Sequence, residues 1–264
     1  MKGILALAAM LASAPATAAE LRELCADRPG LDTPACTVDA GHLQIEAGLA
    51  DWTRDSNAES RTDTLLMGDL VARLGVSAST EFRLGWTGYG RERERDRLGG
   101  GVDIAHRTGD VTLAIKQNFS NPDGSGFSLA VLPSVTVPTG RQPIGAGTWS
   151  AGFLLPVSWE ITHDVHLQLT PEADAAANES GRGRHLSAGT TAGIDFALTK
   201  SLDLDLEVQA IRDRDPSGHA TTALASASLA YQLSDNLQLD VGGVAGLNHA
   251  SPDVEAYWGI VRRF

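Results

Sequence analysis

Hydrophobic and polar residues alternate with a period of two along most of the chain beyond residue 41. Residues 254–264 show this pattern and end on an aromatic residue. A strand that is apolar on one side, polar on the other and ends on an aromatic is typical of the closing strand of an outer-membrane β-barrel. Its apolar side is Val254, Ala256, Trp258, Ile260 and Phe264, and its other side is Glu255, Tyr257, Gly259 and Arg263.

The same alternation, divided by turn signals, predicts twelve strands if residues 90–109 form one long external loop. An even number places both ends of the barrel sequence on the periplasmic side. A secreted β-sandwich would also alternate, but its strands usually have ~5–6 residues, and inward acids without partners would be costly there. We therefore predict an all-β fold: a closed antiparallel transmembrane β-barrel over residues 41–264.

The first nineteen residues resemble a secretory signal peptide. Lys2 precedes an apolar run, and the small residues Ala16-Thr17-Ala18 predict cleavage near Ala18 or Ala19. A membrane anchor is the alternative, but the apolar run is well short of the ~20 residues that a spanning helix needs. Residues 1–19 are therefore predicted to direct export.

Residues 20–40 form an N-terminal segment that either remains in the periplasm or plugs the barrel. Cys25 and Cys36 are the only two cysteines of the chain, and export would bring them into an oxidising compartment. We predict a disulfide that closes a short hook around the turn signal Pro29-Gly30. A zinc site would need two further ligands at suitable spacing, which the sequence lacks.

The formal net charge of −12 argues against a nucleic-acid partner, and no cofactor motif is present. Charged residues fall on the polar side of many predicted strands, where they would line the lumen. The candidate lining residues are Glu46, Asp69, Arg73, Glu81, Arg83, Lys116, His166, Glu172, Asp195, Asp203, Asp205, Glu207, Asp240 and Arg263.

Acids with a spacing of two in one predicted strand, at 203, 205 and 207, could suggest a metal ladder, but any lumen-facing row has this spacing. We interpret them as lumen wall, where the four inward bases could pair with these three acids. Because acids outnumber bases on this side, the lumen is predicted to prefer cations or neutral solutes. The four bases are Arg73, Arg83, Lys116 and Arg263.

Several motifs together resemble a known family of outer-membrane transporter-like proteins, labelled the putative MetA-pathway of phenol degradation. The segments are Cys25–Gly30, Thr33-Pro34, Cys36–Val38, Gly41–Glu46, Gly109–Leu113, Lys116–Asn118, Asn121–Phe127, Pro138–Gly140 and the closing strand. The resemblance implies a barrel in the bacterial outer membrane that passes small, often aromatic or hydrophobic, molecules by passive diffusion. Its partners would be outer-membrane lipid and lipopolysaccharide, the solute, and the barrel-assembly machinery. Arg262 departs from the pattern, since an apolar residue usually stands two before the terminal aromatic.

Two motifs leave alternatives open. Asp213-Arg-Asp-Pro-Ser-Gly218 resembles the start of a calcium loop, but its twelfth position is Leu224 instead of Glu. We interpret it as an outer-loop turn. The mixed-charge run Arg91–Arg97 either binds lipopolysaccharide phosphates through its four arginines or forms internal ion pairs at a solvated loop tip.

Two functions other than a channel are also considered. One is a non-conducting structural or binding barrel. The other is an outer-membrane lipid hydrolase with His185 and Ser187, or His166 and Ser158, as a base and its nucleophile. No motif links either pair, so no catalytic residues are predicted.

Overall fold

A computed structural model describes residues 21–264, so the predicted signal peptide lies outside the described residues. Fourteen β-strands form one antiparallel sheet. They are β1 (Leu43–Ser56), β2 (Ser60–Ser77), β3 (Thr80–Asp96), β4 (Val102–Arg107), β5 (Val111–Ser120), β6 (Phe127–Val137), β7 (Ser150–Leu154), β8 (Val157–Thr162), β9 (Val165–Ala177), β10 (Arg184–Thr199), β11 (Leu202–Asp215), β12 (Gly218–Ser234), β13 (Leu237–Gly246) and β14 (Val254–Arg263). Among these residues no helix is long and apolar enough to cross a membrane.

The fourteen strands make a closed barrel whose wall has twelve strand positions, as predicted. Strands β7 and β8 both pair with β6 and β9, so they are two parts of one wall strand that is interrupted at Leu155-Pro156. Strand β4 pairs only with the far half of β3. Residues 90–109 therefore form a hairpin that extends β3 beyond the barrel wall, where the sequence predicted one long loop.

The closing strand β14 pairs with β1, from Gln44 opposite Arg263 to Arg54 opposite Val254. Closure leaves no free edge in the barrel wall itself. At the same end Arg262 lies over the ring of Phe264, with 5.7 Å from its guanidinium carbon to the ring centre. This contact accommodates the arginine that the barrel pattern does not predict.

The two sides of the wall have the reverse of the polarity seen in a soluble protein. Outward side chains such as Phe82, Val241 and Trp258 are 50%, 52% and 57% exposed, whereas the inward Arg73 and Lys116 are fully buried. An apolar outer surface on a closed sheet is stable in lipid, because each strand of a closed barrel pairs its backbone with two neighbouring strands. This polarity is incompatible with a secreted β-sandwich.

The inward and outward sides exchange once along β1, β2 and β3. In β2 the reversal falls at Gly68, whose φ of +65° is readily adopted only by glycine. Asp69 and Arg73 face inward as predicted, but Asp63, predicted inward, is bonded to the outward Arg54. The predicted single phase of this strand is therefore wrong for the residues before Gly68, toward its N-terminal end.

The barrel has two distinct ends. We call the end that holds Leu43, Phe264 and the tight turns of residues 162–165, 199–202 and 234–237 the terminal end. The opposite end, which carries residues 138–149 and 247–253, is the loop end.

Candidate functional site: the barrel lumen

The described part of the N-terminal segment, residues 21–40, lies inside the barrel and is bonded to strands around most of its wall. They form no helix or strand, yet they bond to side chains of β1, β2, β3, β5, β8, β9, β11, β13 and β14. Buried backbone groups must find partners. A segment without secondary structure can therefore lie here only because the wall supplies them.

Three inward glutamates accept hydrogen bonds from the backbone of the N-terminal segment. Glu46 accepts the N–H groups of Asp27 and Arg28 at 3.0 and 3.1 Å. Glu207 accepts those of Leu31 and Asp32, each at 2.8 Å, and Glu81 accepts that of Val38 at 2.8 Å. Hydrogen bonds to a charged acceptor contribute ~1.5–3 kcal/mol each, so these glutamates hold the segment in place.

Inward cations and amides bind the carbonyl groups of the same segment. Lys116 Nζ donates to the carbonyl oxygens of Pro34 and Cys36 at 3.0 and 3.1 Å. Arg73 Nη1 donates to that of Cys25 at 2.7 Å. The amides of Gln44, Asn118 and Gln238 and the guanidinium of Arg263 bind carbonyl groups in the same way. The wall thus supplies acceptors for the N–H groups of the segment and donors for its carbonyl groups.

The buried bases are neutralised by acids near the terminal end. Arg73 binds Glu46 at 2.7 Å, Glu81 at 2.9 Å and Asp27 at 3.0 Å. Arg83 also pairs with Asp27, a residue of the N-terminal segment. Arg263, at the terminal end, pairs with Asp39 of the segment at 3.0 Å.

The predicted disulfide between Cys25 and Cys36 is confirmed. It encloses the turn at Pro29-Gly30, where Gly30 has a φ of +115°. A Cβ atom at Gly30 would lie 2.8 Å from Glu207 Oε1. Glycine is therefore required both by the backbone conformation and by the close approach to the wall.

Arg28 anchors the tip of the hook to β13. Its guanidinium binds Asp240 at 2.9 Å, and its side chain lies against Gly48 and Gly259, which are opposite each other in β1 and β14. The same guanidinium is 5.4 Å from the ring centre of Tyr257. The two glycines leave the space that the arginine fills.

A second group of acids has no basic partner. Asp195, Asp203 and Asp205 take part in no ion pair among residues 21–264. Burial, together with the Glu207 carboxylate and neighbouring aspartates, raises the pKa of Asp32 well above its usual range. The possible pairing of the four inward bases with the acids of β11 is not formed, because those bases lie across the lumen with Asp27, Asp39, Glu46 and Glu81.

The acids of β11 lie on the lumen side of the wall. Within the described part of the chain, no group of three or more His, Cys, Asp or Glu side chains is placed to hold a metal ion. Glu207 is already bound to the N-terminal segment and to Ser226 Oγ at 2.5 Å. Glu207 of this row therefore holds the hook to the wall.

Beside the N-terminal segment the lumen retains a cavity of about 310 Å³. It lies between Thr33 and strands β2, β3, β5, β6 and β7, and polar and apolar groups both contact it. Its lining includes Asp69, Val71, Arg83, Thr87, Thr112, Leu132, Ser134 and Leu154. A larger groove of about 650 Å³ opens on the apolar side of the same strands, so it faces lipid.

All fourteen predicted lining residues lie on the inward side of their strands, but the structure divides them among different tasks. Some bind the N-terminal segment directly: Glu46, Arg73, Glu81, Arg83, Lys116, Glu207, Asp240 and Arg263. The others border open lumen or the second acid group: Asp69, His166, Glu172, Asp195, Asp203 and Asp205. Sequence reasoning missed Asp27, Arg28 and Tyr257, because nothing in their local pattern shows which strands the hook meets.

Neither serine–histidine pair of the hydrolase alternative is bonded. His185 contacts Asn178 and Asp213, both at 3.0 Å, and Ser158 Oγ accepts the N–H of Ala35 at 3.0 Å. The calcium-like motif forms a turn at the loop end, where Asp215 Oδ1 accepts the backbone N–H of Ser217 at 2.8 Å. The interpretation of this motif as a turn is therefore consistent with its bonding.

The family described as Putative MetA-pathway of phenol degradation matches residues 26–264, nearly all of the hook and barrel. The chain belongs to this family. The resemblance noted in the sequence is thus confirmed. No curated protein shows significant sequence similarity to the chain.

Solved structures share the fold at low identity. The COG4313 outer membrane channel from Pseudomonas putida F1 has a TM-score of 0.69 and 12% identity, over 89% of this chain and 100% of that one. The KdgM porin, solved in complex with disordered oligogalacturonate, has a TM-score of 0.52 and 12% identity over 84% and 99%. The β domain of the Bordetella autotransporter BrkA reaches 0.51 and 13% over 86% and 100%. These similarities show the barrel fold, and none of the three is described as an enzyme.

Proposed function

We propose that this protein is an outer-membrane channel for passive diffusion of small solutes, narrowed by its own N-terminal segment. The terminal end would face the periplasm, since short turns belong on that side. The apolar outer wall and the likeness to an outer membrane channel support the placement of the barrel in the outer membrane.

The observation that carries the proposal is the cavity beside Thr33. The N-terminal segment is bonded around the lumen, but it leaves about 310 Å³ between itself and one side of the wall. That volume is at the lower limit of pockets that take small ligands, ~300–1,000 Å³. The lining combines the charged Asp69 and Arg83 with the apolar Val71 and Leu132, which suits compact solutes with both a polar and an apolar part.

Small aromatic or hydrophobic compounds are the proposed solute class. The family description supports this class, and the mixed lining of the cavity is compatible with it. Long flexible solutes would have to displace the N-terminal segment, whose bonds to Glu46, Glu81 and Glu207 oppose displacement.

Conductance and solute flux test the proposal directly. The refolded protein and a variant lacking residues 20–40 would be compared in planar bilayers and in liposome swelling with a pentose and with phenylalanine. A change of gel mobility on heating would confirm that both barrels are closed. We expect small, slow flux through the complete protein and a several-fold larger current through the deletion variant.

Three results would contradict parts of the proposal. Equal currents from both proteins would reject the narrowing role of the segment. Swelling by neither protein would indicate a non-conducting barrel. Release of fatty acid from phospholipid by the refolded protein, lost in Ser158→Ala or Ser187→Ala, would indicate a hydrolase.

A further inference from the structure

An arginine-rich surface covers the outer face of β1, β2 and β3 toward the loop end. Along β3 the run from Arg91 to Arg95 alternates arginine and glutamate, so the period of two separates the two charges onto opposite faces. Residues directly opposite each other in neighbouring strands share a face. Arg54 of β1, Asp63 of β2 and Arg93 of β3 stand in one such row.

This row lies on the outside of the barrel. The carboxyl group of Asp51 faces those of Asp69 and Glu255 and the Arg28 guanidinium within the lumen. Alternation from Asp51 then places Trp52 and Arg54 outward. The same register places Arg91, Arg93 and Arg95 outward and Glu92 and Glu94 inward.

The outer arginine surface, defined as Arg54, Arg61, Arg91, Arg93 and Arg95, has a large excess of positive charge. Five guanidinium groups surround one carboxylate, that of Asp63, whose two oxygens bind Arg54 and Arg61 at 2.9 Å each. Within residues 21–264 the three arginines of β3 take part in no ion pair.

Two neighbouring groups do not neutralise this surface. At its rim the carboxylate of Asp253 is bound to Ser56. Arg97, the fourth arginine of the run, turns away and donates to the carbonyl oxygen of Asn57. The alternative of a loop tip with internal ion pairs is therefore not what the structure shows for Arg91, Arg93 and Arg95.

Along β2 and β3 the surface begins where the apolar belt ends, and beyond the wall Ile104 and Val102 of β4 lie opposite Arg93 and Arg95 on the same face. Outward side chains of β2 and β3 run from Leu74 and Phe82 near the terminal end through Trp86 to Met67 and Tyr89, all of them exposed. Leu74 is nine positions along the strand from Leu65, which is opposite Arg91. At ~3.4 Å per residue and a strand tilt of ~40°, the stretch from Leu74 to Leu65 spans about 23 Å across the membrane. This is close to the ~25 Å apolar band of such barrels.

The arginines therefore stand at the headgroup level of the leaflet nearest the loop end. We propose that the outer arginine surface binds the phosphate groups of lipopolysaccharide in the outer leaflet. Guanidinium groups bind phosphate through paired N–H donors, and three of the five carry no competing carboxylate. The apolar belt below, including Tyr89, would contact the acyl chains of the same molecule.

Binding can be measured in detergent, independently of channel activity. The full chain, a variant with Arg91, Arg93 and Arg95 each replaced by Gln, and a control with Glu92→Gln and Glu94→Gln would be titrated with fluorescent deep-rough lipopolysaccharide. EDTA would be present to remove bridging by divalent cations. We expect the arginine variant to bind lipopolysaccharide up to about tenfold more weakly than the unaltered protein. The loss is modest for three contacts because exposed charge pairs are individually weak. The control should bind at least as tightly as the unaltered protein.

The ligand series separates the possible sources of phosphate. Lipid A treated to remove its phosphates should bind the unaltered protein no better than lipopolysaccharide binds the arginine variant, and millimolar inorganic phosphate should not compete. The proposal is overturned if the arginine variant binds as tightly as the unaltered protein, if dephosphorylated lipid A binds equally well, or if inorganic phosphate alone saturates the surface. Heat-dependent gel mobility would show that all three proteins are folded.

Discussion

Arg28 and Asp240 are 212 positions apart in sequence and form an ion pair of 2.9 Å inside the barrel. Arg28 belongs to the hook closed by the disulfide, whereas Asp240 belongs to β13 on the wall. The Asp240 side chain is fully buried in this pair. The contact is therefore a direct link between the N-terminal segment and the lumen wall.

Replacing Arg28 by Ala should loosen the hook, because Asp240 would be left buried without its partner. Removing one member of a buried ion pair costs ~3–5 kcal/mol, and we expect roughly 2–4 kcal/mol here because Arg28 is partly accessible. Hydrogen exchange at the amides of Leu31 and Asp32 should become faster. The double variant Arg28→Ala with Asp240→Asn should recover part of the loss, and strictly additive effects would argue against direct coupling.

Gly259→Ala should imitate the loss of Arg28 without removing any charge. The new Cβ atom would lie 2.3 Å from Arg28 Nε, so the flexible arginine must move away from Asp240. Gly243→Ala on β13 is the matched control, since its nearest neighbour would be 3.4 Å away. Faster amide exchange in the hook is expected for the first variant only, and equal exchange in both variants would contradict this explanation.

Asp32 should make the seating of the N-terminal segment dependent on pH. Burial and the neighbouring Glu207 carboxylate raise the pKa of Asp32 in the seated segment. The seated state therefore binds the proton more tightly than the released state, where the pKa is ~3.9. The free energy of seating is thus most favourable below about pH 4 and is lost as pH rises through the raised pKa. Asp195, Asp205 and Glu207 remain in an Asp32→Asn variant.

The comparison of Asp32→Asn with the unaltered protein therefore isolates the titration of one group. We expect channel current to rise with pH in the unaltered protein and to rise less in the variant. Amide exchange of the hook should follow the same order. Parallel pH curves for the two proteins would show that Asp32 does not control seating.

Reduction of the disulfide between Cys25 and Cys36 should also loosen the N-terminal segment. Closing a loop of this length stabilises the ordered state by about 3 kcal/mol through the entropy of the free chain. Current should increase after addition of dithiothreitol to the unaltered protein. A Cys25→Ser, Cys36→Ser double variant should show the higher current from the start and no response to reductant, and a response in that variant would point to another effect of the reagent.

The open lumen should prefer cations over anions. Arg28, Arg73, Arg83, Lys116 and Arg263 are all bound to carboxylates, whereas Asp51, Asp69 and Glu255 lie together above the hook without a salt bridge among the described residues. Reversal potentials in a potassium chloride gradient should have the sign of cation selectivity. Replacing Asp69 by Asn and Glu255 by Gln should reduce that potential, and an anion-selective current would refute the prediction.

Alternation along the chain was sufficient to predict the barrel, the twelve strand positions of its wall and the closing role of residues 254–264. This information is local, because a strand with lipid on one side and lumen on the other must alternate at every step. The inward side of each lining residue followed from the same rule. The rule failed on the N-terminal side of Gly68, whose positive φ reverses the two faces of β2, and this reversal brought Asp63 to Arg54 on the outer face.

The partners of the lining residues were decided only by the tertiary structure. The sequence left open whether residues 20–40 enter the barrel, because they have no periodic pattern and bind through backbone groups that every residue carries. Only closure of the barrel brings Glu46, Glu81 and Glu207 around the hook at distances that match its N–H groups. The sequence by itself thus determined which face each strand turns to the lumen, and the closed three-dimensional arrangement determined what each of those faces binds.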